Sequence, residues 1–257
     1  MINPVISAPS RPRFSVITVC FNALAILPET YASLRTQSSS DYEWIVVDGA
    51  STDGTVEWLT EIGPDVLVSE RDTGIYDAMN KAIARATGDY LFFLNAGDRF
   101  ADANVLTEIK SVLDLQGAPW PDIVYGDVIY FGDRGQRRKR FNWLKRSNLV
   151  FGDLCHQAAF VRREMFDRFG VFDVSLRYNA DFDWFIRGFR GGARLQYVHR
   201  DVARFHDAGA HVLAAQACEL ERNTVRHRYC PRLLWLLGHW SLRAELKLRR
   251  MLGQEVG

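Results

Sequence analysis

The residues best placed to do chemistry in this 257-residue chain stand where apolar runs stop. The segment YLFFLNAGDRF, residues 90–100, runs from apolar side chains into Asn95-Ala96-Gly97-Asp98. That is the form of a buried strand delivering a carboxylate to a cleft. Two earlier runs end the same way: FSVITVC (14–20) reaches Asn22, and WIVV (44–47) stops at Asp48-Gly49. In open parallel sheets, ligands bind outside the carboxyl ends of the strands. Asn22, Asp48, Asn95 and Asp98 are therefore expected along one edge of a shared cleft. Asp and Asn also start turns and cap helices. For Asp53, in STDGT before a helix, ordinary turn chemistry is the stronger reading.

The elements that must position these side chains follow from pattern. Residues 14–20, 44–47, 66–69 and 90–94 read as continuously apolar strands. Between them, 26–36, 56–62 and 75–86 read as helices, the last ended by Gly88. Strands of this kind alternating with helices imply a mostly parallel sheet covered on both faces. The second half is more mixed, with strands expected at 122–130, 158–161 and 195–198 and helices at 163–169 and 181–190. From His211 onward the pattern is helical, interrupted by Pro231 and Gly238. The expected organisation is α/β: a loose arm over 1–12, a main α/β domain over 13–210 and a C-terminal helical extension over 211–257.

Composition narrows the class. The chain is 47% hydrophobic and 25% charged with net charge +1, which suits a folded domain and does not advertise a nucleic-acid binder. Cys20, Cys155, Cys218 and Cys230 lack CxxC spacing, so free thiols are expected rather than a disulfide framework or zinc site. The opening MINPVISAPSRPR has no apolar core of an export signal, and no run reaches the roughly 18–20 residues of a spanning helix. These features suggest a cytoplasmic protein.

Five segments occur in order: SVITVCFN, WIVVDGASTDGT, SERDTGIYDAMNKAIARATGDYLFFLNAGD, CHQAAFVRR and NADFDWFIR. Together, from about Phe14 to Gly209, they resemble bacterial glycosyltransferases of family 2, in the branch that builds polysaccharides and glycolipids. The resemblance implies a GT-A fold, a nucleoside diphosphate sugar donor, a divalent cation (Mn2+ or Mg2+) and inversion at the anomeric carbon. By the same resemblance, Asp48 faces the nucleobase. Thr18, Asn22, Ser51 and Asp53 lie in matched donor-binding motifs. Arg71, Asp72 and Gly74 precede a helix start, where backbone N–H groups suit phosphate or ribose oxygens; a solvated loop pair is the plainer reading of the first two.

The family places an Asp-x-Asp element at the end of strand 90–94. Here Asn95 occupies the first aspartate position, so Asp98 is the remaining carboxylate for the metal, and Asn95 is left to supply a neutral oxygen or to bind ribose. His206, in RFHDAGAH, lies where related enzymes return a loop toward the diphosphate; it is either a second metal ligand or an ordinary surface histidine. NADFDWFIR resembles the family's Glu-Asp element, with Ala180 in the glutamate place and Asp181 as the base that deprotonates the acceptor hydroxyl. Asp183 lies two residues on, turned about 200° around a helix, so one base is expected rather than a carboxylate pair. His156, Gln157 and Trp184 are assigned to the acceptor side, with a structural hydrogen bond the alternative for His156.

The expected acceptor is a saccharide, free or polyprenyl-linked. Residues 134–146 carry seven Lys or Arg and no acid, and the chain from Arg222 carries eight against Glu245 and Glu255. Within PRLLWLLGHWSLRAELKLRRML (231–252), Arg243, Lys247 and Arg250 share one helical side and Trp235 and Trp240 flank an apolar run. Such a helix lies in the headgroup layer of an anionic membrane, which would be its inner face, or packs on the domain or a second copy. Oligomeric state is left open. A Rossmann oxidoreductase would need GxGxxG, and a nucleotidyltransferase a Gly-rich loop after the first strand; neither is present. A non-catalytic assembly partner that kept the fold is the remaining rival, favoured by Asn95 and Ala180.

Overall fold

A computed structural model describes residues 13–116, 118–132, 135–144, 154–206, 214–229 and Lys247. The amino-terminal arm and nearly all of the 231–252 segment lie outside the described residues. The first half is built as the apolar runs require. Strands β1 (Phe14–Cys20), β2 (Tyr42–Asp48), β3 (Val66–Ser69) and β4 (Tyr90–Phe93) pair in parallel in the order β3-β2-β1-β4. Every residue of β1 and β4 is buried, because helices α1 (Leu27–Arg35), α2 (Thr55–Ile62) and α3 (Ile75–Ile83) connect the strands and cover the sheet.

The second half is mixed. A two-residue strand β5 (Arg99–Phe100) and helix α4 (Val105–Gln116) precede β6 (Ile123–Gly132), β7 (Gly135–Lys139) and β8 (Ala159–Arg162). Helices α5 (Glu164–Phe169) and α6 (Ala180–Arg190), strand β9 (Leu195–His206) and helix α7 (Ala215–Tyr229) follow. The sheet continues as β4-β8-β6-β9-β5, with β8 antiparallel to both β4 and β6 and β6 parallel to β9. Phe92 of β4 stacks on Phe160 of β8 at 4.3 Å, so the two halves share one aromatic core.

Two elements go beyond the strands expected from pattern. The basic run holds β7, an exposed strand paired to β6, where Arg137, Arg138 and Lys139 blunt the edge against further pairing. Strand β9 runs on to His206 past the expected end at Val198, through a register shift opposite Tyr125–Val128 of β6 that absorbs the polar His199–Asp201 stretch. Cys20, Cys155 and Cys218 are free thiols. Among the described residues no helix is long and apolar enough to cross a membrane.

Candidate active site

Because β1, β2 and β4 run in parallel, their carboxyl ends share one edge, and a cleft of about 850 Å³ opens there. Val19 to Phe21, the start of α3, Asn95-Ala96, Val174 and residues 176–178 line it.

The loops after β1 and β2 are knotted together. Asp48 is fully buried; its Oδ2 accepts from the Ser51 backbone N–H at 2.9 Å and the Ser69 hydroxyl at 2.8 Å, and its Oδ1 accepts a short bond from the Ser51 hydroxyl. Asn22, in left-handed backbone (φ 47°) that Asn tolerates, accepts from Thr52 N–H at 2.9 Å and donates its own N–H to Ser51 Oγ at 2.7 Å. Asp53 accepts from Leu24 N–H and from both donors of Thr55, which hold its carboxyl below the usual range. Burial, then the Asp48 carboxylate, pushes the neighbouring Cys20 thiol far up, so it stays protonated.

Thr18 does not reach the cleft. It is fully buried in mid-β1, donates to Leu94 O at 2.8 Å and accepts from Trp44 Nε1 at 3.0 Å, a satisfied core hydroxyl rather than a donor-binding group. Asp72 lines the cleft and its Oδ1 takes Gly74 N–H at 2.9 Å. A Cβ on Gly49 would stand 2.7 Å from Asp72 Oδ2, so only glycine lets the carboxylate approach the β2 loop. Arg71 is exposed, with its carbonyl held by Lys81 Nζ at 2.7 Å.

The other rim is assembled by antiparallel pairing of β4 with β8. Continuing that register places Asn95 against Gln157, and thereby joins two motifs about sixty residues apart in sequence. The Asp181 carboxylate, at the first turn of α6, is 8% exposed and receives four donors. Tyr76 Oη at 2.9 Å and Phe182 N–H at 2.9 Å reach Oδ1; His156 Nδ1 at 3.0 Å and His156 N–H at 3.3 Å reach Oδ2. Burial alone would raise this carboxyl; the bonds and charge of His156 and the bond from Tyr76 outweigh it and hold it below the usual range. His156 Nε2 in turn lies 3.0 Å from Asn95 Nδ2. The chain of contacts thus runs Tyr76, Asp181, His156, Asn95.

Two oxygens at the end of this chain are poorly served. Asn95 Oδ1 is buried without a hydrogen-bond partner among the described residues. Asp98, 8% exposed, accepts a long 3.4 Å bond from Gln157 Nε2, and burial pushes its carboxyl up to about 7 against the opposing charge of His156 and the bonds from Gln157 and the Asn95 backbone. Buried oxygen acceptors left this way suit a hard cation. Among the described residues no three His, Cys, Asp or Glu gather as a metal cage. His206 lies on β9 two residues beyond the partner of Arg99, is exposed, and sets its ring edge-on to Phe131 at 5.2 Å.

Asp183 faces away from Asp181, as its helical position requires. It is 2% exposed and bonded to Arg187 at 2.9 Å and Tyr229 Oη at 2.9 Å. Trp184 is not on the acceptor side: it is 1% exposed, stacked on Phe166 at 4.6 Å, with Nε1 donating to Gly170 O at 2.7 Å. Sequence reasoning missed Tyr76, Arg177 and Glu221. Tyr76 looks like any aromatic on a buried helical face. Glu221 of α7 accepts the backbone N–H groups of Arg177, Tyr178 and Asn179 at 2.7–2.8 Å, a contact across more than forty residues with no local signature.

The turn after β4 that carries Asn95 and Asp98 is thus joined to Asp181 of α6 through His156. The family model for glycosyl transferase family 2 matches residues 15–170, more than half of the chain. The chain belongs to that family. It is 36% identical over 211 residues to a PGL/p-HBAD biosynthesis glycosyltransferase of Mycobacterium bovis (strain BCG / Pasteur 1173P2), covering 78% of this chain and 79% of the relative. It is 32% identical over 109 residues to a putative teichuronic acid biosynthesis glycosyltransferase, TuaG, of Bacillus subtilis (strain 168), covering 40% and 43%. Staphylococcus aureus TarS in complex with UDP superposes with TM-score 0.65 at 19% identity over 76% of this chain, which spans 60% of the TarS chain. Mannosyltransferase PcManGT from Pyrobaculum calidifontis, with GDP-Man and Mn2+, gives 0.65 at 22% identity over 86% of this chain and 66% of its own. These likenesses show the fold. Asp181 lies beyond the stretch matched by the family model.

Proposed function

We propose that the protein is an inverting glycosyltransferase that moves a sugar from a nucleoside diphosphate sugar to a hydroxyl of a saccharide, free or polyprenyl-linked, in bacterial glycolipid or polysaccharide synthesis. The observation that carries the reading is the contact chain from Asp181 through His156 to Asn95, beside Asp98. It ties the candidate base to the candidate diphosphate corner through direct side-chain contacts. The names of the relatives support the pathway class, and UDP and GDP-Man in structural neighbours support the donor class.

In this reading Asp181, held ionised, takes the proton of the attacking hydroxyl. Tyr76 and His156 fix its orientation, and burial with the Asp181 charge keeps Tyr76 protonated as a donor. A single base on one side of the sugar suits direct displacement and hence inversion; Asp183 is occupied by Arg187 and Tyr229 and takes no part. Asp98 and Asn95 Oδ1 would hold a divalent cation. When bound, Mn2+ or Mg2+ supplies positive charge against the leaving diphosphate. Asp72 and the start of α3 border the nucleoside end of the cleft. The basic C-terminal segment would set the enzyme against anionic lipid at the inner membrane face; a truncated chain that still co-sediments with anionic liposomes refutes that part.

The test is direct. The full chain is incubated with a panel of UDP- and GDP-sugars, Mn2+ and a prenyl-linked saccharide acceptor, and release of nucleoside diphosphate and the anomeric configuration of the product are measured. At least one donor should yield product of inverted configuration. No turnover of any donor, or retention, overturns the reading.

A further inference from the structure

Arg177 is the one Lys or Arg among the described residues that lines the cleft. It is exposed, its Cζ lies 5.8 Å from the Tyr178 ring, and it has no carboxylate partner among the described residues. The acids that share the cleft wall are engaged elsewhere. Asp72 takes Gly74 N–H, and Asp77 takes Thr73 N–H at 2.9 Å with Lys81 at 3.7 Å. Glu221 is also taken: the backbone N–H groups of Arg177, Tyr178 and Asn179 occupy it. Asn179 adds bonds from its side-chain amide to Cys218 O at 2.9 Å and Glu221 at 3.2 Å, and accepts from Arg222 Nε at 3.1 Å. The segment that carries Arg177 is therefore fixed from behind, while its guanidinium lines the cleft with no carboxylate paired to it among the described residues. A guanidinium is a planar fork whose geometry matches phosphate oxygens.

We propose that Arg177 is a phosphate-contacting residue of this cleft. The inference rests on the glycosyltransferase reading, which supplies two sources of that chemistry: the diphosphate of the donor, or the phosphate of a polyprenyl-linked acceptor. Neither the strand-end motifs nor the matched family stretch contains this residue.

The experiment measures binding to the full chain and to Arg177→Gln and Arg177→Lys, by calorimetry with Mn2+ present. The probes are UDP and GDP, the nucleosides uridine and guanosine, and farnesyl diphosphate against farnesol in detergent. For the donor source, Arg177→Gln weakens the nucleoside diphosphate about tenfold to a hundredfold, the scale of a charged hydrogen bond. Nucleoside binding stays unchanged, and Arg177→Lys recovers part of the loss. If the acceptor is the source, the same loss falls on farnesyl diphosphate and spares farnesol. Equal binding of both phosphate probes by wild type and variants overturns the inference while leaving the enzyme reading intact. A wild-type chain that binds no nucleoside diphosphate removes the enzyme reading and the inference together.

Discussion

The two rims of the cleft are both rich in polar residues, yet they are built in opposite ways. On the β1/β2 rim, Asn22, Asp48, Ser51 and Asp53 are bonded mainly to one another and to backbone, and Asp48 has both oxygens filled. On the β4/β8 rim, the contacts form an open chain that ends on the unpartnered Asn95 Oδ1 and the desolvated Asp98. A satisfied polar cluster rigidifies a loop; an unsatisfied one at the mouth of a cleft is held at a free-energy penalty that a ligand can relieve. On the proposed reading, the difference separates residues that shape the cleft from residues that meet its contents, although strand-end position marks both alike.

The largest expected effect falls on the open rim. Asp181→Asn keeps the size of the side chain and removes the proposed base. Transfer should drop by about a thousandfold, within the usual range for a positioned base, while binding of the donor nucleotide stays within twofold. Full transfer by this variant would dissolve the distinction between the rims.

Asp98→Asn should lower transfer on the order of a hundredfold by weakening charge stabilisation at the leaving group. In the wild type, Mn2+ binding should weaken as pH falls below about 7, because the raised carboxyl then carries a proton the cation must displace. The same residue makes a stability prediction of unusual sign. A carboxyl whose folded pKa is raised loses stability as pH rises from its unfolded value, near 4, to about 7. In metal-free protein at pH 8, Asp98→Asn should therefore stabilise the fold by about 1–3 kcal/mol, and below about pH 4 the gain should vanish. Chemical denaturation at the two pH values, with chelator, reads this out. A destabilised variant at pH 8 would place Asp98 with the satisfied rim.

Glu221→Ala tests whether α7 serves the open rim from outside the cleft. Its carboxylate anchors Arg177 to Asn179, the residue that precedes α6 and hence Asp181. Loss of that anchor should lower kcat about tenfold through misplacement of the proposed base, at a denaturant midpoint that leaves the chain folded under assay conditions. An unchanged kcat would show that α7 does not serve the open rim.

How far the sequence foretold this follows from what each signal reports. The parallel half was legible because strands buried on both faces are continuously apolar, and their ends announce themselves by Asn and Asp. The same rule could not separate Thr18 from the strand-end residues, since one polar residue inside a buried strand is satisfied by a neighbouring carbonyl, here that of Leu94. Trp184 was misplaced for a related reason: next to an acidic motif, an aromatic reads as a substrate platform, whereas α6 is buried on nearly all sides. The register shift that carries β9 through His199–Asp201, and the span from Glu221 to Asn179, are tertiary facts without local periodicity.

The smallest expected effect lies on the satisfied rim, and it is the sharpest control. Ser51 donates its hydroxyl to Asp48 Oδ1 and accepts Asn22 N–H at 2.7 Å. Ser51→Ala keeps the backbone bond to Asp48 Oδ2 at 2.9 Å but leaves Asp48 Oδ1 with only the weak Cys20 thiol at 3.7 Å. Leaving a buried acceptor short of a donor should destabilise the fold by about 1–2 kcal/mol, seen as a lower denaturant midpoint at unchanged slope. Because the lost bonds are within the protein, kcat should stay within twofold. The contrast with Asp98→Asn is then complete, one change loosening the fold and sparing chemistry, the other tightening the metal-free fold and removing it. A Ser51→Ala variant with intact stability and a large rise in KM for the donor would show instead that the knotted rim gives its hydrogen bonds up to the nucleotide.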